Sequence, residues 1–366
     1  MISLLKRLSM SLVATVVVAT FWPACAVSAA PLIIRYGAPD WTLRDKVYWG
    51  VPGVARYKGW LQEEFAKDGI QLEFIGFKGG APAVGQALAN KQIDLAGQGD
   101  LLSIIGRSAG LKTRIIFPLD KLVNANLAVP LKSTIASVKD LRGKRVAYNK
   151  GNQIHLQVLR ILAANGLAEK DIRSVYLDPS SAATALATGD VDAVFGSLEL
   201  LPLRDSGVAR IVYSTRGGPA GLTSYNALVV REEFLAQHPD LAQRFVNVLV
   251  RTAHWVSQPE HRDEAVKIWG MGPVRASTYF VEDFSDRPWA DRISPLLDPL
   301  LIRHYKETQI QIGKLGLLRG PATDIEQWIE PRFLRQALRA QELEDYWQPL
   351  PAGQAAQKEK LTPDRR

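Results

Sequence analysis

Polar turns that follow predicted strands are the parts of this 366-residue sequence best suited to chemistry. The segment GKRVAYNKGNQIHLQVLRIL, residues 143–162, is typical of a buried strand, a polar turn and an amphipathic helix. Its turn holds Lys150, Gly151, Asn152 and Gln153. The first N–H groups of a helix have no partner within it, and the aligned peptide dipoles add about half a positive charge there. Such a turn can bind an anion through backbone and side-chain amides.

The simplest alternative for this turn is that Asn152 only caps its helix, which contributes about 1 kcal/mol and needs no ligand. A ligand site is favoured because similar turns follow three other predicted strands, at residues 79–81, 98–100 and 178–180. In open α/β sheets, ligands bind beyond the carboxyl ends of the strands. The sequence therefore predicts a small-anion site to which several turns contribute.

The sequence holds no side-chain pattern typical of catalysis. Its five histidines form no metal-binding spacing, and neither a G-x-S-x-G elbow nor a G-x-x-x-x-G-K-[ST] loop is present. Asp178 and Asp192 are candidates for an acid–base pair, but a helix cap explains Asp178 more simply, and a strand end explains Asp192. We therefore predict a binding protein without a cofactor or metal, not an enzyme.

Charge and composition describe an ordinary globular chain. It is 47% hydrophobic and 22% charged, and its length favours two domains. The formal charge of +8 falls to +6 without Lys6 and Arg7, and acids separate the remaining basic residues. A nucleic-acid partner is therefore not predicted. The mild positive balance suits an anionic ligand.

The first thirty residues are typical of a secretory signal peptide. Lys6 and Arg7 form a basic start, an apolar run spans 12–22, and small residues near Ala29 suit cleavage. Cys25, the only cysteine, lies in this segment and faintly resembles a lipidation site. We predict export to the periplasm and a mature chain without disulfides.

Strands and helices alternate through the sequence that follows. Strands are predicted at 32–37 and 70–77, a helix at 49–69, and a turn with a helix at 78–92. The segment 93–100 predicts a short strand that enters a glycine-rich turn. This alternation favours parallel sheets whose faces are covered by helices.

A weak internal repeat indicates two similar lobes. ALANKQIDLAG (87–97) corresponds to ALATGDVDAVFG (185–196), and each copy follows a strand and a polar turn. A strand at 224–234 is predicted to return to the first lobe. The predicted divisions are a signal peptide at 1–30, the first lobe at 31–124 and 223–347, the second lobe at 125–222, and a disordered tail at 348–366.

Four segments resemble the periplasmic solute-binding proteins of ABC transporters for aliphatic sulfonates, taurine and nitrate, a family that also binds thiamine-pyrimidine precursors. The segments are GGAPAVGQALANKQIDLAGQGD, SVKDLRGKRVAYNKGNQIH, ATALATGDVDAVFGS and YNALVVREEFLAQHPDLAQRF. The resemblance implies an α/β type II periplasmic-binding-protein fold, with two lobes joined by a two-strand hinge. It also implies a monomer that delivers a small organic anion to a permease and its ATPase in the inner membrane.

The resemblance carries over eleven candidate ligand contacts. They are Trp41, Gly79, Gly80, Gln98, Gly99 and Asp100 in the first lobe, and Lys150, Gly151, Asn152, Gln153 and Ser197 in the second. Two departures affect the substrate. Asn152 and Gln153 stand where the family usually has Ser or Ala, and Asp100 is unsuited to an anion, so it would hold a ligand amine or a neighbouring loop. A taurine-like zwitterion therefore fits as well as a plain sulfonate.

Three alternatives stay open at this point. A heteroaromatic ligand such as a pyrimidine would stack on Trp41, Tyr48 and Trp49, although such residues commonly belong to a core. An enzyme of the thiamine-pyrimidine synthase type would need a cofactor site that the sequence does not indicate. A sensory or scaffolding domain without a ligand is disfavoured by the polar turns.

Overall fold

The computed structural model describes residues 32–39, 50–271 and 277–352, which belong to one compact unit. The predicted signal peptide, Cys25 and the aromatic residues Trp41, Tyr48 and Trp49 lie outside the described residues. Within the described ranges, no helix combines the length and the apolar character needed to cross a membrane.

Ten strands form two five-stranded sheets within the described residues. They are β1 (Ile33–Pro39), β2 (Gln71–Phe77), β3 (Leu95–Gly99), β4 (Thr113–Val123), β5 (Asn126–Pro130), β6 (Arg145–Tyr148), β7 (Arg173–Tyr176), β8 (Ala193–Gly196), β9 (Ala209–Ser214) and β10 (Ser224–Arg231). The first sheet has the order β2-β1-β3-β10-β4, and the second has the order β7-β6-β8-β5-β9. The predicted return of the strand near 224–234 to the first sheet is confirmed.

The prediction of parallel sheets is right for only part of each sheet. β1 runs parallel to β2 and β3, and β6 runs parallel to β7 and β8. β10 is antiparallel to β3 and β4, and β5 is antiparallel to β8 and β9. The reason is topological. The chain enters β10 and β5 directly from the other sheet, without the helical crossover that connects parallel neighbours.

The two sheets repeat one pattern of strands, as the sequence repeat predicts. In each sheet, the strand that the chain forms after crossing from the other sheet lies beside the third strand, β10 beside β3 and β5 beside β8. Asp94 accepts a hydrogen bond from the backbone N–H of Arg35 at 3.0 Å, and Asp192 accepts one from the N–H of Arg145 at 2.7 Å. Each carboxylate also pairs with an arginine, Asp94 with Arg231 and Asp192 with Arg145. The matching aspartates therefore hold the same join between strands in both sheets.

Fifteen α-helices surround the sheets in the part of the chain that the structure describes. They are α1 (Gly50–Tyr57), α2 (Trp60–Ala66), α3 (Gly80–Ala89), α4 (Asp100–Ser108), α5 (Gln153–Ala164), α6 (Pro179–Thr188), α7 (Leu201–Asp205), α8 (Glu232–Gln237), α9 (Pro239–Ser257), α10 (Arg262–Gly270), α11 (Ser277–Phe284), α12 (Trp289–Ile293), α13 (Pro299–Lys314), α14 (Ile325–Trp328) and α15 (Arg332–Ala340). Short 3₁₀ turns include Leu198–Leu200, directly before α7.

The helix predicted across 49–69 is broken in two. Gly59 has φ of 75°, a left-handed conformation that glycine adopts without steric cost, and this ends α1 before α2 begins. Tyr57, the last residue of α1, is 47% exposed. At the other end of the chain, Leu350 of the predicted tail is buried, and residues 353–366 lie outside the described residues.

Helices cover both faces of the first sheet, which explains its continuous apolar strands. On β10, Leu228 and Val230 belong to a core cluster that includes Phe245 of α9. Ala227 and Val229, which point the opposite way, belong to a second cluster around α3 and α4. The helices α3 and α4 are therefore packed on one face of the first sheet.

The chain passes between the sheets twice, from β4 to β5 and from β9 to β10. The two passages are bonded to each other: the N–H of Ala125 donates to Thr215 Oγ1 at 2.9 Å, and the N–H of Thr215 donates to the Ala125 carbonyl at 3.0 Å. The Thr215 hydroxyl donates to Asn124 Oδ1 at 3.0 Å. All three residues are buried, so the two passages form one linked pair of segments.

Candidate functional site

A cavity of about 800 Å³ lies between the two sheets. It is lined by residues at the ends of β1 and β3 in the first sheet, including Pro39 and Gly99. On the second sheet it is lined by residues that follow β6, β7 and β8, namely Asn149, Leu177 and Ser197. The cavity is therefore at the carboxyl ends of strands from both sheets, where the fold class places ligands.

Among the described helices that begin at this cavity, α1, α3 and α5 have no acidic residue in their first turn, and α3 and α5 come from different sheets. At α3 the N-cap Gly79 makes no side-chain capping bond, and Lys78 and Ala81 line the cavity. At α5 the Asn152 side chain accepts from the N–H of Ile154 at 3.0 Å, and Gln153 also lines the cavity. These two starts keep the positive end of the helix dipole uncompensated.

The starts of α4 and α6, also near the cavity, are bonded to their own carboxylates. Asp100 accepts from the N–H of Leu101 at 2.7 Å at the start of α4. Asp178 accepts from the N–H groups of Ser180 and Ser181 at 2.9 and 3.1 Å at the start of α6. Hydrogen bonds from the Ser181 hydroxyl and N–H hold the pKa of Asp178 below its usual range. At both starts a carboxyl group already occupies backbone N–H groups that an anion would otherwise use.

The structure brings four of the sequence-predicted site residues to the cavity wall: Gly99, Asn152, Gln153 and Ser197. Six others are outside the lining set, namely Gly79, Gly80, Gln98, Asp100, Lys150 and Gly151. Trp41 lies outside the described residues. The two predicted turns therefore reach the cavity through some of their residues and through neighbours such as Lys78 and Ala81.

Asp100 and Lys150 are directed elsewhere. Asp100 is fully buried, and its second carboxylate oxygen pairs with Nε2 of His304 on α13. The partner is therefore on a helix, whereas the sequence predicts a ligand amine or a neighbouring loop. The Lys150 ammonium lies 4.1 Å from the ring centroid of Tyr176, on which it forms a cation–π contact. Neither side chain is placed to contact a ligand in the cavity.

The two sheets approach each other closely at one edge of the cavity. A side chain added at Gly99 would place its Cβ 3.1 Å from Gln153 Oε1, so Gln153 of the second sheet reaches across to β3 of the first. Gln157, one helical turn further on, donates to the carbonyl of Val123 at 2.9 Å. The lobes are therefore in contact beside α5.

Sequence reasoning missed three acidic residues in the cavity wall, Asp120, Glu199 and Asp283, and Asp283 is paired with Arg292 of the same wall. Burial raises the pKa of the Asp120 carboxyl, against the lowering effect of a hydrogen bond that the Asn226 amide donates at 3.0 Å. Burial likewise raises the pKa of the Glu199 carboxyl, which accepts from the N–H of Ser197 at 2.9 Å. In the sequence, the signal that could have identified Asp120 and Glu199 is an acid inside a mostly apolar segment, FPLDKLV for Asp120 and SLELL for Glu199.

Sequence reasoning also missed an aromatic part of the wall formed by Trp269, Phe280 and Phe284. The ring centroid of Trp269 lies 5.5 Å from those of Phe280 and Phe284. These residues come from α10 and α11, far along the chain from the polar turns, and no short-range pattern connects them with the turns.

The sequence is similar to those of known proteins. Residues 53–262, more than half of the chain, match the family model described as NMT1/THI5 like. The chain is 31% identical over 219 residues to a Bacillus subtilis protein named for binding aliphatic sulfonates, a match covering 59% of this chain and 64% of that protein. It is 23% identical over 286 residues to the taurine-binding periplasmic protein of Escherichia coli, covering 74% of this chain and 86% of that protein.

A solved structure gives a similar result. The periplasmic sulfonate-binding protein of Methylobacillus flagellatus has a TM-score of 0.77 and 28% identity, and the match covers 88% of this chain and 98% of that one. The predicted resemblance and the predicted type II fold are therefore confirmed. The alignment with the Bacillus protein covers just under two thirds of its length.

Proposed function

Since the chain belongs to the NMT1/THI5-like family, we propose that it is the periplasmic substrate-binding component of an ABC importer. It captures a small organic anion, an aliphatic sulfonate or a taurine-like compound, in the cavity between its sheets. It then presents the ligand to a permease and an ATPase of the inner membrane. It acts as a monomer and performs no chemistry on its ligand.

The observation that carries this proposal is the pair of acid-free helix starts on one cavity. The starts of α3 and α5 come from different sheets, and both have residues in the cavity wall. Hydrogen bonds to a charged group contribute roughly 1.5–3 kcal/mol each. Three or four of them give roughly 4.5–12 kcal/mol before the cost of association is subtracted, whereas micromolar affinity needs a net of about −8 kcal/mol, so other contacts in the cavity must add to them.

Capture follows from a shift between open and closed lobes. A ligand that touches both helix starts interacts fully only when the lobes are closed, so it favours that state. The linked passages at Ala125 and Thr215 are the natural axis of this motion, because they are the chain segments that join the sheets. Gln153 beside Gly99 provides a contact between the lobes that opening would break.

Calorimetric titration tests the proposal directly. Purified mature protein would be titrated with alkanesulfonates, taurine, nitrate, sulfate and aromatic acids. We expect micromolar binding of at least one sulfonate and no binding of inorganic sulfate of comparable strength. Absence of heat with every sulfonate, from protein shown to be folded and ligand-free by native mass spectrometry, would overturn it.

A heteroaromatic ligand is the second candidate, and the rings of Trp269, Phe280 and Phe284 in the cavity wall favour it. Tryptophan fluorescence distinguishes the two because Trp269 is part of that wall. Saturable quenching by a pyrimidine, together with no response to sulfonates, would replace the leading proposal with this one.

A further inference from the structure

The helix α5, whose start belongs to the proposed anion site, is shared between the cores of both lobes. Ile154 and Val158, one turn apart, belong to the core cluster of the second lobe. Leu156, on the opposite side of the helix, belongs to a cluster of the first lobe that includes Ile104 of α4 and Tyr305 of α13. The helix therefore packs on both lobes at once.

Arg160 makes polar contacts from α5 to the first lobe. Its guanidinium donates from Nε to Gln311 Oε1 at 2.7 Å and from Nη2 to Thr308 Oγ1 at 2.6 Å, both on α13. It also donates from Nη1 to the carbonyl of Thr223 at 3.4 Å, in the passage that leads to β10. Burial lowers the pKa of the Arg160 guanidinium, and these three acceptors replace the water that it has lost.

Gln157, one turn before Arg160, is bonded to both chain passages between the sheets. Its side-chain amide donates to the carbonyl of Val123 at 2.9 Å and to the carbonyl of Leu222 at 3.3 Å. Gln157 is only 1% exposed, so water does not compete for these bonds. Gln157 and Arg160 thus attach the middle of α5 to the segments about which the lobes would turn.

A second contact between the lobes, between α7 and α11, is more open to solvent. Arg204 of α7 donates to both carboxylate oxygens of Glu282 of α11, at 2.7 and 2.9 Å. The two side chains are 33% and 31% exposed, and ion pairs that water can reach contribute little. Leu201 of α7 also packs on the core of the first lobe. Neither the ion pair nor this packing attaches α7 to a passage, so α7 can leave α11 more easily than α5 can leave α13.

We propose that Arg160 is a positioning residue for ligand capture, which fixes the middle of α5 to α13 so that the lobes turn about this point and part between α7 and α11. This rests on the proposed function. Arg160 does not line the cavity, so it acts without touching the ligand. Gln153 lies seven residues from Arg160, about 10 Å along the helix. The start of α5 therefore swings about a fixed point and returns to one place on closure, where Asn152 and Gln153 face the anion.

The turning point can be located with pairs of spin labels, because Cys25, in the predicted signal peptide, is the only cysteine of the chain. Labels at Ala163→Cys and Ile310→Cys, both exposed positions, report the distance between α5 and α13. Labels at Ser206→Cys and Val281→Cys, also exposed, report the distance between α7 and α11.

The distances are measured without ligand and with saturating taurine, ethanesulfonate or butanesulfonate. On binding, we expect the distance between α7 and α11 to shorten by more than about 2 Å and the distance between α5 and α13 to stay constant. Equal changes in both pairs, or no change in either pair while a sulfonate binds, would overturn the inference and leave the proposed function intact. If no sulfonate produces heat in calorimetry, the proposed function fails and the inference fails with it.

Two variants separate the position of α5 from the charge of Arg160. Arg160→Met removes all three donors and should weaken sulfonate binding about tenfold, with a broader distribution of distances between α5 and α13. Gln311→Leu removes an acceptor on α13 and keeps the charge of Arg160, and it should weaken binding severalfold. Unchanged affinity in Gln311→Leu with a loss in Arg160→Met would mean that Arg160 acts through its charge. Unchanged affinity in both would remove Arg160 from capture, and either result overturns the inference.

Arg244→Met is the matched control. Arg244 donates to the carboxylate and the carbonyl of Glu64 at 2.8 and 2.6 Å, entirely within the first lobe. This variant should lower the melting temperature about as much as Arg160→Met but leave sulfonate affinity unchanged. An equal loss of affinity in the control would show that general destabilisation, not the position of α5, weakens binding. Because the label distances are measured with Arg160 in place, a variant that fails to fold does not remove the test.

Discussion

The starts of α3 and α6 occupy the same place in the two repeated lobes but present opposite electrostatics. Each helix follows the edge strand of its sheet, β2 for α3 and β7 for α6. α3 begins at Gly79 with no capping side chain, whereas α6 begins at Asp178, whose carboxylate takes two backbone N–H groups. The repeat thus supplies two similar sites, and one acidic side chain closes one of them. In the proposed anion site, α3 is therefore paired with α5 and not with its repeat partner α6.

Making α3 resemble α6 should have the largest effect. Ala81→Asp places a carboxylate in the cavity wall within the first turn of α3. We expect sulfonate affinity to fall about a hundredfold by calorimetry, because two like charges a few ångströms apart repel strongly. Ala81→Asn is the neutral control and should retain most of the affinity. Both variants should stay folded, because acids are favoured at helix starts. Equal losses in the two variants would show that size, not charge, matters there.

The start of α5 can be tested through its glycine. Gly151 has φ of 79°, a conformation that costs about 1–2 kcal/mol for a residue with a side chain. Gly151→Val should therefore move Asn152 and Gln153 and weaken sulfonate binding about tenfold. Gly189→Val is the control, since Gly189 has a similar φ of 80° at the far end of α6. Unchanged affinity for Gly151→Val, with equal thermal destabilisation of both variants, would remove this turn from the site.

Removing the negative charge at the start of α6 should have a smaller effect on sulfonate affinity, in the opposite direction. Asp178→Asn keeps a good helix cap and removes a negative charge from the cavity wall. Titration with a plain sulfonate at low ionic strength should show affinity raised about threefold, and added salt should reduce the gain. A decrease in affinity would mean that Asp178 contacts the ligand directly.

Glu199, in the 3₁₀ turn before α7, should affect stability more than anion binding. Burial raises the pKa of Glu199 above its ordinary value of 4.5, so the folded ligand-free protein binds more protons than the unfolded chain above that pH. Its stability therefore falls as pH rises from about 4.5 towards the folded-state pKa, and removal of the charge should reverse this. Glu199→Gln should raise the melting temperature at pH 7 by a few degrees, with the difference disappearing near pH 4. A lower melting temperature at pH 7 would contradict this sign.

The sequence predicted those features that depend on residues close together in the chain. The repeat of Asp94 and Asp192 and the turn at 150–153 follow from short patterns, and the structure places both aspartates at equivalent strand joins. The partners of other residues lie far away in the chain. Asp100 is held by His304, 204 positions away, so its withdrawal from the cavity depends on tertiary packing. The cavity wall likewise joins Asp120 of β4 with the rings of α10 and α11, and no local signal connects these segments.

The insertion of β10 between β3 and β4 also determines when the first sheet can be completed. β3 and β4 are made early and cannot pair with each other, because a strand synthesised about a hundred residues later belongs between them. The second sheet comes from one continuous stretch of chain, so it can close while the first still exposes unpaired edges. We expect pulse-labelled hydrogen exchange during refolding to protect β6 and β8 before β3. Such a delay would keep the first sheet of a newly made chain incomplete until β10, which ends at residue 231 of 366, has left the ribosome.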